Sequence, residues 1–228
     1  GGDLCQGGAQ PATGKCLPSP PQCAPGVEPE VDAIDCLPQC EVIPQKSFEP
    51  VLKYAWTGGD VMMPPIVIQL DDDNCDRVID ERDIPEIVFS SFAGGDYNNN
   101  GTLRAVSVKD GAFVEKWAVT PVVDAIWGGR GIAGGNIDGV PGNEVVACTA
   151  THKARAFTAA GVELWTSEAV GCDQPALTDL DGDGQVEVLL EGAVLDGKTG
   201  AVELNFDAAG LSWWHKKAIA ADADGDGK

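Results

Sequence analysis

TDLDGDGQVE, residues 178–187, sets aspartates at alternate positions 179, 181 and 183, flanks them with glycines at 182 and 184, and closes on Glu187. A plain hairpin turn gains nothing from four carboxylates in so short a stretch, and without a cation they repel one another. Calcium resolves the conflict, because it takes six to eight oxygens and mixes carboxylates with a backbone carbonyl and water. Asp179, Asp181 and Asp183 then supply side chains, Gln185 its backbone carbonyl, and Glu187 the closing acid at the head of a strand. Gly182 and Gly184 tolerate the positive φ that a sharply bent loop needs. Magnesium fits less well, since it keeps more of its water and demands a stricter octahedron.

Related loops recur along the chain. ADADGDGK, residues 221–228, offers Asp222, Asp224 and Asp226, with its closing acid expected beyond Lys228. Earlier, Asp72, Asn74, Asp76, Val78 through its carbonyl, and Asp83 fall at positions 1, 3, 5, 7 and 12 of an EF-hand-like loop, although Arg77 holds the sixth position, where glycine is expected. Asp71 and Asp73 give that loop an alternative register. A fourth loop retains Asn136, Asp138 and Glu144 but has Val140 where a third carboxylate belongs. These loops predict two to three structural Ca2+ ions.

The loops beginning at 136, 179 and 222 are spaced 43 residues apart. Between them, short β-type runs such as EVVACTA, KARAFTA and VELWTS alternate with glycine turns such as KDG, AAG and GKTG, where hairpins need them. Each unit ends near an aromatic residue: Trp117, Trp165 or Phe206. Four short strands in about 43 residues is the size of a propeller blade. The predicted fold is all-β, with four-stranded antiparallel blades over about 65–118, 131–167 and 174–207 and a stray strand at LKYAWT, residues 52–57. Four to eight blades close a ring, so the polypeptide is expected to continue past Lys228 or to be completed by another chain.

Residues 1–50 differ in kind: they hold nine of the 15 prolines. Proline removes donors and fixes φ, so this segment reads as an irregular arm joined to the segment 51–228. The eight cysteines form no CxxC pair, and there are two histidines, which argues for disulfides over zinc. The arm carries Cys5, Cys16, Cys23, Cys36 and Cys40; five cannot pair among themselves. Cys75 is the expected outside partner, because Cys148 and Cys172 lie one repeat element apart and can pair with each other. A net charge of -21 excludes nucleic acid and anionic membrane surfaces as partners, and no apolar run is long enough for direct membrane insertion. The opening GGDLCQGG lacks the regions of a signal peptide, so a processed secreted chain is expected.

The stretches DLDGDGQVEVLL, DADGDGK and DIPEIVF followed by GTLRAVSVKDG resemble FG-GAP or VCBS repeats, the calcium-loop blades of integrin α-subunit propellers and of many secreted bacterial proteins. The resemblance spans residues 51–228. It implies structural calcium at Asp179, Asp181, Asp183, Gln185 and Glu187 and in part at Asp222, Asp224 and Asp226. It also implies an extracellular or cell-surface module for adhesion, surface or fibre assembly, whose partners are a protein or glycan ligand or like subunits. The alternative is a carbohydrate-active enzyme, a polysaccharide lyase or hydrolase, or a lectin on the same scaffold. His152 and His215 have no partner set for nucleophilic catalysis and read as surface or structural. LSWWHKK, with Trp213 and Trp214, reads as blade packing. No catalytic constellation is visible, so an enzyme is not expected.

Overall fold

The computed structural model describes residues 4–6, 15–17, 50–98, 101–109, 111–206 and 219–221, and every regular element among them is a β-strand. The chain divides into two compact units, Gly1–Val51 and Leu52–Lys228. In the first, β1 (Leu4–Gln6) pairs antiparallel with β2 (Lys15–Leu17), which sets Cys5 opposite Cys16 in the register. Cys23, Cys36 and Cys40 lie outside the described residues, as do Asp222, Asp224, Asp226, Trp213, Trp214 and His215.

The second unit holds three four-stranded antiparallel sheets, each a simple meander. The first contains β3 (Ile66–Ile68), β4 (Glu86–Ser91), β5 (Thr102–Lys109) and β6 (Ala112–Val119). The second contains β7 (Ile132–Gly135), β8 (Glu144–Cys148), β9 (Lys153–Phe157) and β10 (Glu163–Ala169). The third contains β11 (Ala176–Thr178), β12 (Glu187–Leu189), β13 (Ala193–Asp196) and β14 (Val202–Asn205). The strand runs are short because glycine turns interrupt them, and β-branched residues fill the positions between.

Burial explains why the second strands read as unbroken apolar runs. β8 is buried at all five positions, as a strand covered on both faces must be. Successive side chains point to opposite faces. Val145 and Ala147 therefore join Leu70, Val88, Leu103, Ile126 and Phe157 in a core shared with the first sheet. Val146 and Cys148 join Ile137, Val188, Leu190 and Leu195 in a core shared with the third. The fourth strand β6, by contrast, is mostly exposed.

Two tryptophans fasten neighbouring sheets. Trp117 on β6 donates its indole N–H to Ala159 O in the β9–β10 turn at 2.8 Å, and Trp165 on β10 donates to Gly197 O in the β13–β14 turn at 2.9 Å. Each ring lies against a glycine of positive φ, Gly161 (φ 74) and Gly200 (φ 71), where a Cβ would strike the indole. Only glycine meets both demands, the left-handed backbone and the close approach. Phe206 follows β14 and is 37% exposed.

Cys148 and Cys172 are disulfide-bonded with Cα atoms 5.3 Å apart, which ties the end of β8 to the loop leading into the third sheet. Two expectations need correction. Cys75, the expected partner of an arm cysteine, has a free, exposed thiol among the described residues and sits at φ 64 in the acidic loop. Residues 52–57 form no strand. Trp56 instead packs edge-on against Phe89 at 4.9 Å between centroids, and pairing resumes only with the Asp60–Phe92 bridge.

Candidate metal centre

Each loop between a first and a second strand is closed in the same way. The glutamate heading the second strand turns inward and accepts the amide of an apolar residue at the loop's start. Leu70 N–H donates to Glu86 Oε2 at 2.9 Å, Ile137 N–H to Glu144 Oε2 at 3.0 Å, and Leu180 N–H to Glu187 Oε2 at 2.6 Å. All three glutamates are buried. An acid with both oxygens out of water requires donors or a cation.

In the third sheet's loop, Asp179 Oδ1 accepts Gly182 N–H and Asp183 N–H, and its Oδ2 accepts Gly184 N–H at 2.9 Å. Asp181 Oδ1 accepts Asp183 N–H at 3.1 Å, and Asp183 Oδ1 accepts Gln185 N–H at 2.8 Å. Gly182 and Gly184 take φ of 75 and 88, as the loop's bend demands. Oxygens of Asp179, Asp181 and Glu187 lie within 4.8 Å of one another. A cation with bonds of about 2.3 to 2.6 Å spans that separation, so the donor set fits calcium. Its chemistry there would be structural, drawing together carboxylates that otherwise repel.

The first sheet's loop is longer and contains two acidic groups. Asp72, Asn74, Asp76 and Asp83 repeat the third loop's hydrogen bonding position by position. Asp72 Oδ1 accepts Asp76 N–H at 3.1 Å and its Oδ2 accepts Arg77 N–H at 2.7 Å. Asn74 Oδ1 accepts Asp76 N–H at 2.8 Å, and Asp76 Oδ1 accepts Val78 N–H at 2.9 Å. Asp83 closes the loop by accepting Asp73 N–H at 3.0 Å and Asp80 N–H at 2.9 Å. The Asp80 amide in particular holds the Asp83 carboxyl below its ordinary pKa. Arg77, at the position where glycine was expected, adopts the glycine-like φ of 72.

Asp71 and Asp73 face a different centre. They converge with Glu86, oxygens of all three lying within 4.8 Å of one another. Lys116 Nζ from β6 stands 2.6 Å from Asp71, 3.2 Å from Asp73 and 3.8 Å from Glu86. Burial raises the Glu86 carboxyl despite the Leu70 amide. Burial alone would lower Lys116, but the Asp71 and Asp73 carboxylates outweigh it and hold the ammonium above its ordinary value.

In the second sheet's loop, Asn136 Nδ2 donates to Val140 O and Asn136 Oδ1 accepts Gly139 N–H at 2.8 Å, so the amide side chain bonds the loop's own backbone at both ends. Glu144 is raised by burial. A cavity of about 540 Å³ runs between this loop and the third sheet's, lined by Asn136, Asp138, Gln185, Asp196 and Lys198.

Antiparallel connectivity puts the sheet-to-sheet loops and the second-to-third-strand turns at the opposite end from the acidic loops. There the Arg130 guanidinium stacks 3.6 Å over Trp127, bonds Cys172 O, meets His152 Nδ1 at 3.0 Å and lies 3.5 Å from Asp173. Burial, reinforced by Arg130, lowers His152, which keeps the ring neutral at pH 7. Nearby, Glu191 Oε1 accepts Gln174 N–H at 3.0 Å, whereas its Oε2 is buried without a hydrogen-bond partner among the described residues; burial raises this carboxyl too. His152 thus has structural partners. Sequence reasoning missed Lys116, Arg130 and Glu191, because none carries a local motif.

No protein-family model matches the chain, and no curated protein does. Among solved structures, it is similar to the Vibrio cholerae biofilm matrix protein Bap1, at 28% identity and a TM-score of 0.63 over 77% of this chain and 30% of that one. The chain therefore spans 30% of Bap1's length. It also aligns with the rhamnogalacturonan lyase PL11 of Bacillus licheniformis at 20% identity and a TM-score of 0.40, over 53% of this chain and 22% of that one.

Proposed function

We propose that this chain is a calcium-stabilised segment of an extracellular propeller of the FG-GAP or VCBS type, serving adhesion or matrix assembly by binding a glycan, a protein or like subunits. The observation that carries the reading is the shared fold, at 28% identity over 77% of the chain, with a protein described as a biofilm matrix component. The Cys148–Cys172 disulfide supports an oxidising compartment. The Asp179–Asp181–Glu187 convergence supports structural calcium. The test immobilises the protein and measures retention of bacterial exopolysaccharide and of a second copy of the chain, in calcium and in EDTA. Retention that weakens in EDTA, without shortening of the polymer, is the expected result. Retention of neither would overturn the reading.

A second reading, a carbohydrate-active enzyme, draws support from the Arg130, His152, Asp173 and Glu191 grouping, which combines a neutral imidazole, a guanidinium and a raised carboxyl. Loss of polymer length on incubation, abolished by His152→Ala, would favour it over adhesion.

A further inference from the structure

The fourth strand of each four-stranded sheet carries a bulge at an equivalent place, β10 having a second between Thr166 and Ala169, and the residue added at the equivalent place differs in charge from sheet to sheet. In β6 the register passes from Ala105↔Trp117 to Val106↔Glu115, leaving Lys116 unmatched. In β10 it passes from Ala156↔Trp165 to Phe157↔Glu163, leaving Leu164. In β14 it passes from Val194↔Leu204 to Leu195↔Val202, leaving Glu203. A bulge re-aims the side chain it adds. Lys116 is aimed at Asp71, Asp73 and Glu86. Glu203 holds the register position equivalent to Lys116, and its carboxyl is raised by burial and by the charges of Glu187, Asp196, Asp181 and Asp183. Leu164 belongs to the sheet whose loop has Val140 in place of an acid.

We propose that the bulged residue of the fourth strand sets the ion content of its sheet's acidic loop, Lys116 being the resident cation of the Asp71–Asp73–Glu86 triad and Glu203 an added carboxylate that strengthens calcium binding at Asp179–Glu187. Glu86 is fully buried, and its Oε1 has no hydrogen-bond partner among the described residues, so this oxygen requires a positive charge beside it. The Lys116 ammonium at 3.8 Å supplies that charge. A tethered ammonium competes with free calcium at an effective concentration fixed by the fold and not by the medium. The triad is separate from the Asp72–Asn74–Asp76–Asp83 group: the carboxylates of Asp71, Asp73 and Glu86 converge on Lys116, whereas those of Asp72, Asp76 and Asp83 accept the loop's own backbone amides. In the third sheet the charge at the bulge is reversed, so the bulge brings no cation to that loop.

The inference rests on the calcium reading, and the experiment separates the two. Calcium bound per chain is counted by native mass spectrometry for the unsubstituted protein and for Lys116→Met, Asp73→Asn, Glu203→Lys and Asp179→Asn. Lys116→Met is expected to bind one ion more, an ion lost again when Asp73→Asn is added. Glu203→Lys and Asp179→Asn are each expected to bind one fewer, and Asp73→Asn alone is expected to leave the count unchanged. A lower count in Asp73→Asn alone would show that an ion already displaces Lys116, and would overturn the proposal. So would a Lys116→Met protein that keeps its β-sheet circular dichroism yet gains no ion. Should Lys116→Met fail to fold, Asp73→Asn and Glu203→Lys still decide. If Asp179→Asn loses nothing, the calcium reading itself fails; if it loses one ion while Lys116→Met gains none, only the bulge rule does.

Discussion

The first and third sheets share one meander and one closing glutamate, yet they meet the crowding of their carboxylates with opposite charges. In the first, Lys116 reaches across from β6 into the triad of Asp71, Asp73 and Glu86. In the third, the equivalent register position holds an acid, Glu203. The difference teaches that a repeated frame does not imply a repeated charge at the fourth strand. One side chain from a strand far along the sequence brings a positive charge into the first loop.

The largest expected effect tests how the third sheet is attached. Trp165 is 8% exposed and bonds Gly197 O, so Trp165→Ala should cost about 3–5 kcal/mol in chemical denaturation. Trp117 is only half-buried, and Trp117→Ala should cost less. Equal losses would erase the distinction between the two junctions. Next, reducing the Cys148–Cys172 bond, which spans 24 residues, should lower stability by about 3 kcal/mol, and that part of the response to reductant should be lost in a Cys148→Ser, Cys172→Ser protein.

Chelation comes third. With calcium at about 100 times its dissociation constant, EDTA should remove about 2.7 kcal/mol for each site it empties. The share of the drop in melting temperature that belongs to the third sheet should vanish in Asp179→Asn and persist in Asp73→Asn. An unchanged midpoint in excess EDTA would count against structural calcium anywhere in the chain. The smallest effect lies in the middle sheet and ignores calcium. Thr151 and Lys153 hold the Asp124 carboxyl below its ordinary value of 3.8. A depressed folded pKa gives stability that is present above the unfolded value and lost as pH falls through the folded one. The acid limb of the pH–stability curve, below about pH 4, should therefore flatten slightly in Asp124→Asn.

Much of the architecture was readable in advance. Counting strands placed three units over about 65–118, 131–167 and 174–207, and the sheets run from Ile66 to Val119, Ile132 to Ala169 and Ala176 to Asn205. Trp117 and Trp165 announced the ends of units before their role as sheet-to-sheet fasteners was visible. The errors arose where the local pattern was silent. LKYAWT has a strand's composition but finds no ladder, because Trp56 goes to Phe89 instead. Arg77 bends like a glycine because four neighbouring acidic or amide side chains capture the loop's backbone amides.

Taken alone, the sequence determined what depends on neighbours a few residues away: acids at alternate positions, glycines where the backbone must turn left-handed, and a period that fixes four strands per unit. Only the tertiary structure decided which charge each loop meets. Lys116 lies 45 residues from Asp71, and whether a fourth-strand residue faces the loop or the solvent depends on a bulge that exists only once the strands have paired. Local spacing encodes a turn, but a contact across a sheet is set by register, and register is a property of the folded pair.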